Sequence, residues 1–542
     1  MNLKRLNFKA LFSALLISAV GTFTMGQITV LPVIDGDDSE AAWDAATEYA
    51  IEAVIADDFI DDAADLSGTF KLLWSADSVY VAVNVLDDSL YSLATNAYEN
   101  DNVGIFFDLL NMKTGSYVDE TQFYYEKNWW DGPDPIGARH GAAWATPPFG
   151  DFATTVDTST SYLIELSFAW DQFGVTPVVG HQIGFDVKLS DNDGDGATPS
   201  EGRCQLAWSD TTDTGWNVPS VFGTLILKAD GDVTLLPTID GDASDDAWAM
   251  APAYDITNVI ADDFIDDAAD LSGTFKVIWT SEDIYVLCEV QDDSLYSLAT
   301  NAYENDNIGI FFDLLNKKTN SYVDTTQFYY EKNWWDGPDP IGARFGNAWA
   351  TPPYNEFATT VDTGTSYLIE ISLSWDRFGV DPMVGHQIGF DVKLSDNDGD
   401  GATPSEGRCQ LAWSDTTDTG WNVPGVFGTL VLDKNGSVTV LPSVDGDGSD
   451  DVWDLVPAFE ITNVIADDFI DDEADLSGIT KLLWTSQSVF ALVEVQDDSL
   501  YSLATNAYEN DNVGIFFDLL NKKTNSYVDT TQFYYEKNWW DG

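Results

Sequence analysis

The sequence predicts an all-β fold built from tandem antiparallel β-sandwich domains, of the jelly-roll or immunoglobulin-like kind. Apolar residues alternate with polar ones, for example over residues 162–168, and this period is typical of half-buried strands. Gly, Asp and Asn separate the apolar segments and indicate turns. The stretch at residues 87–102 returns unchanged at 292–307 and 497–512, so a complete domain is repeated.

The repeats divide the chain into four parts. Residues 1–26 join a basic start to a short apolar run, which predicts a signal peptide and a secreted, extracellular protein. We expect β-sandwich domains at residues 28–229 and 233–434, and a truncated third copy at 438–542. Because the third copy stops early, the full-length protein is expected to continue, which leaves room for a further domain.

Each element of one repeat has its own signal. Residues 39–43 favour a turn or two of helix. Residues 70–74 and 79–85 predict a hairpin around a four-residue turn. Residues 183–189 alternate strictly, and residues 221–227 read as a closing strand. Many short strands with polar turns favour a sandwich over other all-β folds.

The charge excludes some partners. The chain has 92 acidic residues against 23 Lys and Arg, a formal net charge of -69. Nucleic acid requires a basic patch, and the few basic residues do not cluster, so neither nucleic acid nor membrane insertion is expected. The negative charge favours cation binding, although a solvated acidic surface explains most of the excess of acidic residues.

The composition does not favour an enzyme. The chain has three His and three Cys, which argues against zinc and haem sites. Carboxylate pairs are abundant because acids are abundant, and none stands out as the acid and nucleophile of a glycosidase. We therefore expect no catalytic residues in this part of the protein.

One acidic run has the spacing of a calcium loop. Carboxylates occupy alternate positions before a Gly, and hard oxygen ligands suit Ca²⁺, although the twelfth position of the run is Gly202 rather than the Glu of an EF-hand. A solvated acidic turn is the alternative. The candidate ligands for a structural Ca²⁺ ion are Asp191, Asp193 and Asp195, with Asp396, Asp398 and Asp400 in the second repeat.

An ordered set of segments in each repeat resembles the family 9 carbohydrate-binding modules of secreted xylanases. The set covers nearly all of residues 28–434. Its members are Val33-Ile34-Asp35-Gly36 with Trp43, Lys71-Leu72-Leu73-Trp74, Glu99-Asn100-Asp101-Asn102, Ile105-Phe106-Phe107-Asp108, Ile183-Gly184-Phe185-Asp186, Ser190-Asp191-Asn192, Ala207-Trp208-Ser209-Asp210, Trp216 and Phe222-Gly223-Thr224-Leu225.

The resemblance implies a β-sandwich, structural calcium and a slot in which two aromatic rings grip a sugar. The residues that it implies, together with the polar partners that we expect beside them, are Tyr98, Gln122, Asp213 and Trp216 in the first repeat, Tyr303, Gln327, Asp418 and Trp421 in the second, and Tyr508 and Gln532 in the third.

The sequence departs from the family at three positions. Tyr98 replaces the usual Trp, Gly104 replaces a carboxylate, and Tyr124 replaces an Arg. The last two changes remove charged groups that grip hydroxyls, so the mode of sugar binding is open. Trp129-Trp130 and Trp144 form a second aromatic group, which predicts either a sugar platform or, as we favour, a plug at one end of the sandwich.

These observations predict non-catalytic carbohydrate binding by tandem modules, with a polysaccharide or oligosaccharide chain end as ligand. Such modules are expected to serve as an accessory part of a glycoside hydrolase. The alternative is a structural or adhesive extracellular array that binds no sugar.

Overall fold

The computed structural model describes residues 31–56, 60, 62–130, 137–157, 160–193, 203–261, 265, 267–335, 342–362, 365–398, 408–446, 448–465, 475–485, 488–506 and 509–539. The expected signal peptide at residues 1–26 lies outside them. Helices are short: α1 (Ala41–Ala45), α2 (Asp246–Met250) and 3₁₀ turns at Ala97–Glu99, Trp170–Phe173, Pro219–Val221, Ala302–Glu304, Trp375–Phe378, Pro424–Val426 and Asp451–Leu455. None of the helices in the described part of the chain combines the length and apolar character that crossing a bilayer requires.

The strands of the first repeat pair in two antiparallel sheets. One sheet has the order β1-β3-β4-β9-β8; the other has the order β13-β12-β10-β5-β6-β7, with β11 pairing with β10 and β2. The strands are β1 (Glu48–Ala50), β2 (Ala53–Ala56), β3 (Leu66–Trp74), β4 (Ser78–Asp87), β5 (Asn102–Asp108), β6 (Gln122–Asn128), β7 (Gly137–His140), β8 (Phe152–Asp157), β9 (Ser161–Ala169), β10 (Gln182–Asn192), β11 (Arg203–Ala207), β12 (Gly223–Leu227) and β13 (Val233–Thr234).

The second repeat has the same two sheets, and the third repeat has a part of each. The strands of the second repeat are β14 (Tyr254–Asp255), β15 (Asn258–Ala261), β16 (Leu271–Trp279), β17 (Asp283–Asp292), β18 (Asn307–Asp313), β19 (Gln327–Asn333), β20 (Gly342–Phe345), β21 (Glu356–Asp362), β22 (Ser366–Ser374), β23 (Gln387–Asn397), β24 (Arg408–Ala412), β25 (Gly428–Leu432) and β26 (Val438–Val440). Those of the third are β27 (Phe459–Glu460), β28 (Leu476–Trp484), β29 (Val489–Asp497), β30 (Asn512–Asp518) and β31 (Gln532–Asn538).

The all-β sandwich predicted from the sequence is confirmed. The expected hairpin is β3 and β4, in which Trp74 pairs with Val79. The predicted strand at residues 183–189 extends to Asn192 as β10. The core lies between the two sheets, where the inward side chains of β4, β5, β9 and β10 are almost fully buried, because alternate residues of a strand face the same side.

The opening segment of the repeat is fastened to the outer face of one sheet by a single buried carboxylate. Glu165 on β9 accepts hydrogen bonds from the backbone nitrogens of Asp35, at 3.0 Å, and Gly36, at 2.6 Å. It also accepts one from Trp43 Nε1, at 2.8 Å. The conformation of Gly36 has φ +86°, which disfavours residues with a side chain. This explains why the segment needs an Asp-Gly turn and a Trp at this spacing.

The linker after the first repeat is bound to that repeat. Trp74 donates from its backbone nitrogen to Gly231 O, at 2.8 Å, and from Nε1 to Lys228 O, at 3.0 Å. The hydroxyl of Tyr49 donates to Val233 O, at 3.0 Å. The short linker is therefore part of the folded repeat.

Successive repeats meet at a recurring junction. Ile226 of the first repeat is buried in an apolar cluster that includes Trp248 of the second. Gln182 Nε2 of the first repeat donates to Trp279 O of the second, at 2.8 Å. The same hydrogen bond joins the second repeat to the third, at 2.9 Å. The repeats therefore meet through specific contacts as well as through the linker.

Candidate functional site

The outer face of the eight-stranded sheet carries a row of charged side chains across three strands. The register of β10, β5 and β6 sets Lys188 beside Gly104, and Gly104 beside Glu126. Residues that lie opposite each other in antiparallel strands share a face of the sheet. The Glu126 carboxylate and the Lys188 ammonium therefore flank Gly104, the small residue at the centre of the row. We call this row of three residues the floor.

The next row on this face is aromatic. It contains Phe106 and Tyr124, which pair with each other, and Arg139, which pairs with Tyr124. The Phe106 ring turns back over Gly104, and a side chain at position 104 would place its Cβ 2.6 Å from the ring. The position therefore cannot carry the carboxylate that the resemblance implies while the ring stays there, and the neighbouring strands supply Glu126 and Arg139 instead.

Trp216 stands at one side of the floor, on a loop fixed by two buried carboxylates. Asp186 accepts hydrogen bonds from three successive backbone nitrogens of the loop, at 2.8–3.1 Å, although burial raises its pKa to about 7. Asp210 accepts three more from farther along the loop, at 2.7–2.8 Å. The Trp216 side chain remains 44% exposed. The hydrogen bonds thus fix the loop before any ligand binds, so that binding to the exposed Trp216 ring costs little loop entropy.

Asp213 joins the loop to the floor. Its Oδ1 lies 3.0 Å from Lys188 Nζ, and its carbonyl accepts from Trp216 Nε1, at 2.9 Å. The backbone of Asp213 is left-handed, with φ 52°, a conformation that Asp tolerates better than most residues. The predicted residues Asp213 and Trp216 therefore lie together.

Tyr98 stands at the opposite side, on a 3₁₀ turn just before β5, and is 53% exposed. The second repeat shows how the two sides connect. Arg408 Nη1 donates to the carbonyl of Tyr303, the counterpart of Tyr98, at 3.0 Å. Glu331 lies across Gly309 from Lys393 in the register of β19, β18 and β23. Burial raises the pKa of Glu331, and the positive charges of Lys393 and Arg408 oppose the rise.

Lys393 completes the connection, because its Nζ lies 3.3 Å from Asp418 Oδ1, and Asp418 O accepts from Trp421 Nε1, at 3.0 Å. A line of alternating charges therefore runs from one exposed aromatic residue to the other. We call this arrangement, with its two rings and the floor between them, the slot.

The expectation that Gln122 contacts sugar is wrong. Gln122 is 0% exposed. Its Nε2 donates to Asp108 Oδ2, at 3.0 Å, and its Oε1 accepts from Val118 N, at 2.9 Å. Gln327 and Gln532 make the same contacts in their repeats. The amide pins the loop before β6 and cannot reach a ligand, because its hydrogen-bonding groups are used inside the fold.

The predicted residue Tyr508 lies outside the described residues. The sequence reasoning did not select Glu126, Lys188 or Arg408 at all. A signal was available, since Glu126 directly follows the aromatic run Phe123-Tyr124-Tyr125 in a largely buried strand, where a charge is costly unless it has a partner. Its position opposite Gly104, however, depends on the register of β5 and β6, which the sequence does not state.

The second aromatic group is divided between the two faces of this sheet. Trp129 packs against the core, and its Nε1 donates to Tyr91 O, at 3.4 Å, as the plug interpretation expects. Trp144 instead lies on the outer face, where its ring contacts the edge of Tyr124. The Gly/Pro segment between them, residues 131–136, is not among the described residues.

A separate group of acidic side chains lies at one end of the sandwich. Asp87 at the end of β4, Asp101 just before β5 and Asp191 in β10 are all buried, and one oxygen from each lies within 4.8 Å of the others. Asp87 Oδ2 and Asp191 Oδ1 have no hydrogen-bond partner within the described part of the chain. Asp292, Asp306 and Asp396 repeat the group in the second repeat.

Burial raises the pKa of each member of this group. The pKa of Asp101 rises to about 9, with a further contribution from the charge of Asp87. The pKa of Asp191 also rises to about 9, through burial and then through Asp87 and Asp101. The pKa of Asp87 rises to about 7. The three carboxylates are therefore unstable together as anions unless a cation lies between them.

The acidic run predicted to bind calcium is divided between two groups of side chains. Asp191 and Asp193 belong to two adjoining groups, the second of which is Asp65, Asp88 and Asp193. Asp396 takes part in both groups of the second repeat, one of them with Asp270 and Asp398. Asp191 is still in strand β10, and its neighbours come from distant segments rather than from one loop. Asp195 and Asp400 lie outside the described residues.

The sequence matches the family described as "Carbohydrate family 9 binding domain-like" over residues 34–230, 239–435 and 444–541. The chain belongs to this family. It is thus an array of family 9 modules, which are carbohydrate-binding and not catalytic units, and the resemblance noted in the sequence is confirmed.

Among curated relatives, the exoglucanase XynX of Acetivibrio thermocellus is 24% identical over 407 residues, covering 74% of this chain and 33% of its own length. An endo-1,4-beta-xylanase A of Thermotoga neapolitana is 26% identical over 381 residues, covering 69% and 31%. The chain thus spans about a third of the length of these relatives. A family 9 module from Caldicellulosiruptor kristjanssonii, solved in complex with cellotriose, is 24% identical with a TM-score of 0.30, covering 37% of this chain and 90% of that one.

Proposed function

We propose that the slot of each complete family 9 module in this chain is its saccharide site. The observation that carries the proposal is the line of charged side chains that joins two exposed aromatic residues, Tyr303 and Trp421, across the outer face of the sheet. Aromatic rings suit the C–H faces of a pyranose, and charged or amide groups suit its hydroxyl rim. The slot presents both kinds of group.

The energetics predict modest affinity for one slot. A sugar face of about 100 Å² contributes roughly 2.5 kcal/mol when it is covered. Association entropy offsets much of this gain. Two slots that engage one polymer together gain about 10²–10⁴ in apparent affinity.

We propose β-1,4-linked glucan or xylan chains as the ligand class. The names of the relatives, an exoglucanase and endo-1,4-β-xylanases, and the cellotriose complex of the Caldicellulosiruptor module support this choice. The array then serves as the accessory, targeting part of a glycoside hydrolase, outside the cell.

The test uses the full chain and isothermal titration with cello- and xylo-oligosaccharides. Trp216→Ala combined with Trp421→Ala should weaken binding by roughly 70-fold, the equivalent of the covered face. The control, Trp130→Ala with Trp335→Ala, removes similarly exposed rings and should leave binding unchanged. A structural or adhesive array would show no saccharide binding in the unaltered chain, and that result would exclude the proposal.

We propose that the acidic group formed by Asp87, Asp101 and Asp191 holds a structural Ca²⁺ ion. Calcium–oxygen distances of about 2.3–2.6 Å allow two ligand atoms to lie about 5 Å apart, which the 4.8 Å limit of the group satisfies. Asp87 and Asp191 each have a buried carboxylate oxygen without a hydrogen-bond partner among the described residues. A bound ion would tie the ends of β4, β5 and β10 together.

We propose that the chain is exported and cleaved after Gly26. The basic start and short apolar run support this. Mass measurement of the protein recovered from culture medium should give a chain that begins at Gln27. Retention of Met1 in that protein would contradict export by this route.

A further inference from the structure

Among the described aromatic residues of the first repeat, Trp144 is the most exposed on the face of the sheet that carries the slot. Its side chain is 66% exposed, and that of its counterpart Trp349 is 67% exposed. Leaving such a large apolar side chain in water forgoes a substantial burial gain. Specific backbone and side-chain contacts nevertheless fix the position of the ring.

A tight turn sets the position of Trp144. His140 and Ala143 exchange two backbone hydrogen bonds, at 3.0 and 3.1 Å, around Gly141. Gly141 has φ +54°, and a Cβ there would meet the backbone of Asp119 at 2.9 Å. Glycine is therefore required at position 141. Trp144 directly follows the pair of hydrogen bonds that closes the turn.

The inner face of the Trp144 ring rests on a cation. The Arg139 guanidinium lies 5.2 Å from the Trp144 ring centroid and 4.6 Å from that of Tyr117, so it is layered between the two rings. Tyr124 meets Trp144 edge-on, at 6.4 Å. Cation–π and edge contacts of this kind hold a ring in one orientation. One face of the ring is thus covered, and the high exposure belongs to the other face.

The same arginine connects this ring to the slot. Arg139 Nη1 donates to the carbonyl of Trp216, at 3.2 Å, and to Asn217 Oδ1, at 2.8 Å. The register puts Arg139 beside Tyr124, two residues from Glu126 on the same strand face. Residues two apart along a strand are about 7 Å apart. Trp144, whose ring lies over Arg139, therefore borders the slot at its β7 end.

We propose that Trp144 and Trp349 form a second stacking surface, which takes the next pyranose ring of a chain whose terminal or first ring lies in the slot. This rests on the proposed function of the slot. The ring is preorganised, so stacking on it costs little side-chain entropy. The ligand is accordingly an oligosaccharide of two or more rings, and a monosaccharide does not reach this surface.

The experiment compares glucose, cellobiose and cellotriose by titration on the full chain. Trp144→Ala with Trp349→Ala should weaken cellotriose binding by roughly tenfold, a fraction of what complete burial of such a ring contributes, and leave glucose binding unchanged. Trp144→Leu with Trp349→Leu, which keeps an apolar cover on the arginine, should give the same split. Trp130→Ala with Trp335→Ala is the matched control.

The results separate the two proposals. Equal losses for glucose and cellotriose would mean that Trp144 only supports the slot, and no loss for either would mean that it touches no sugar; both outcomes overturn the second surface. In both cases the slot stands if Trp216→Ala with Trp421→Ala still weakens glucose binding by roughly 70-fold. If no sugar binds the unaltered chain, both proposals fall.

Discussion

The proposed Ca²⁺ site predicts that, in the absence of calcium, the stability of this protein falls with rising pH. Without the ion, Asp101 and Asp191 have folded pKa values of about 9, against 3.8 for an ordinary aspartate. The folded chain then holds protons that the unfolded chain has lost. Stability falls with rising pH wherever the folded state binds more protons, so it should decline from about pH 4 to about pH 9.

The size of the calcium effect follows from the same group. With pKa values of about 7, 9 and 9 for Asp87, Asp101 and Asp191, calcium binding at pH 7 should displace between two and three protons per site. Calcium at a hundred times its Kd should stabilise a repeat by about 2.7 kcal/mol. For a domain of this size that corresponds to a rise in Tm of about 5–10 °C.

The assay is thermal unfolding from pH 5 to 8 in EDTA and in CaCl₂, with calorimetric titration of Ca²⁺ in two buffers of different ionisation enthalpy. The Tm should fall with pH in EDTA only, and the binding heat should depend on the buffer. Asp101→Asn with Asp306→Asn should abolish the calcium response, whereas Asp151→Asn with Glu356→Gln, which change exposed residues at the start of an edge strand, should keep it. A Tm that rises with pH in EDTA, with no response to calcium, would refute the reasoning.

Three further predictions concern the slot, the fold and the junction. Glu126→Gln with Glu331→Gln should weaken oligosaccharide binding by roughly tenfold at unchanged Tm, because a charge-assisted hydrogen bond is lost; an unaltered Kd in titration would contradict this. Glu165→Ala leaves three buried N–H donors unpaired and should cost about 3–5 kcal/mol in urea unfolding; a loss under 1 kcal/mol would count against it. Ile226→Asp should cost about 2–4 kcal/mol and lower hydrogen-exchange protection around Trp248 in the next repeat, whereas an effect confined to the first repeat would show that the repeats are independent.

Much of the fold was accessible from the sequence because its signals are local. The hairpin of β3 and β4 follows from alternation on both sides of a polar turn. The slot aromatic Trp216 was recognisable because it lies in a loop rich in Thr, Asp and Gly, where an apolar ring has few partners to pack against. Such features need no knowledge of which strands are neighbours.

The parts that the sequence could not supply depend on strand pairing. Asp191 is far along the chain from Asp87 and Asp101, and the three meet only because β4 and β10 end, and β5 begins, at the same edge of the sandwich. Gln122 looks like a surface residue at the start of a strand, but the loop over residues 111–118 folds across it and uses its amide. Which residues lie opposite each other depends on the pairing of strands that are distant in sequence, and the alternation of apolar and polar residues does not reveal this pairing.

The junction at Ile226 and Gln182 sets how the array can use its two slots. Since the linker is fastened to the first repeat and the second repeat abuts it directly, neither slot can swivel to find a ligand by itself. The junction therefore sets one spacing between the two slots. It favours a straight polymer that offers sugars at that spacing, and a short soluble fragment gains nothing from the presence of the second copy.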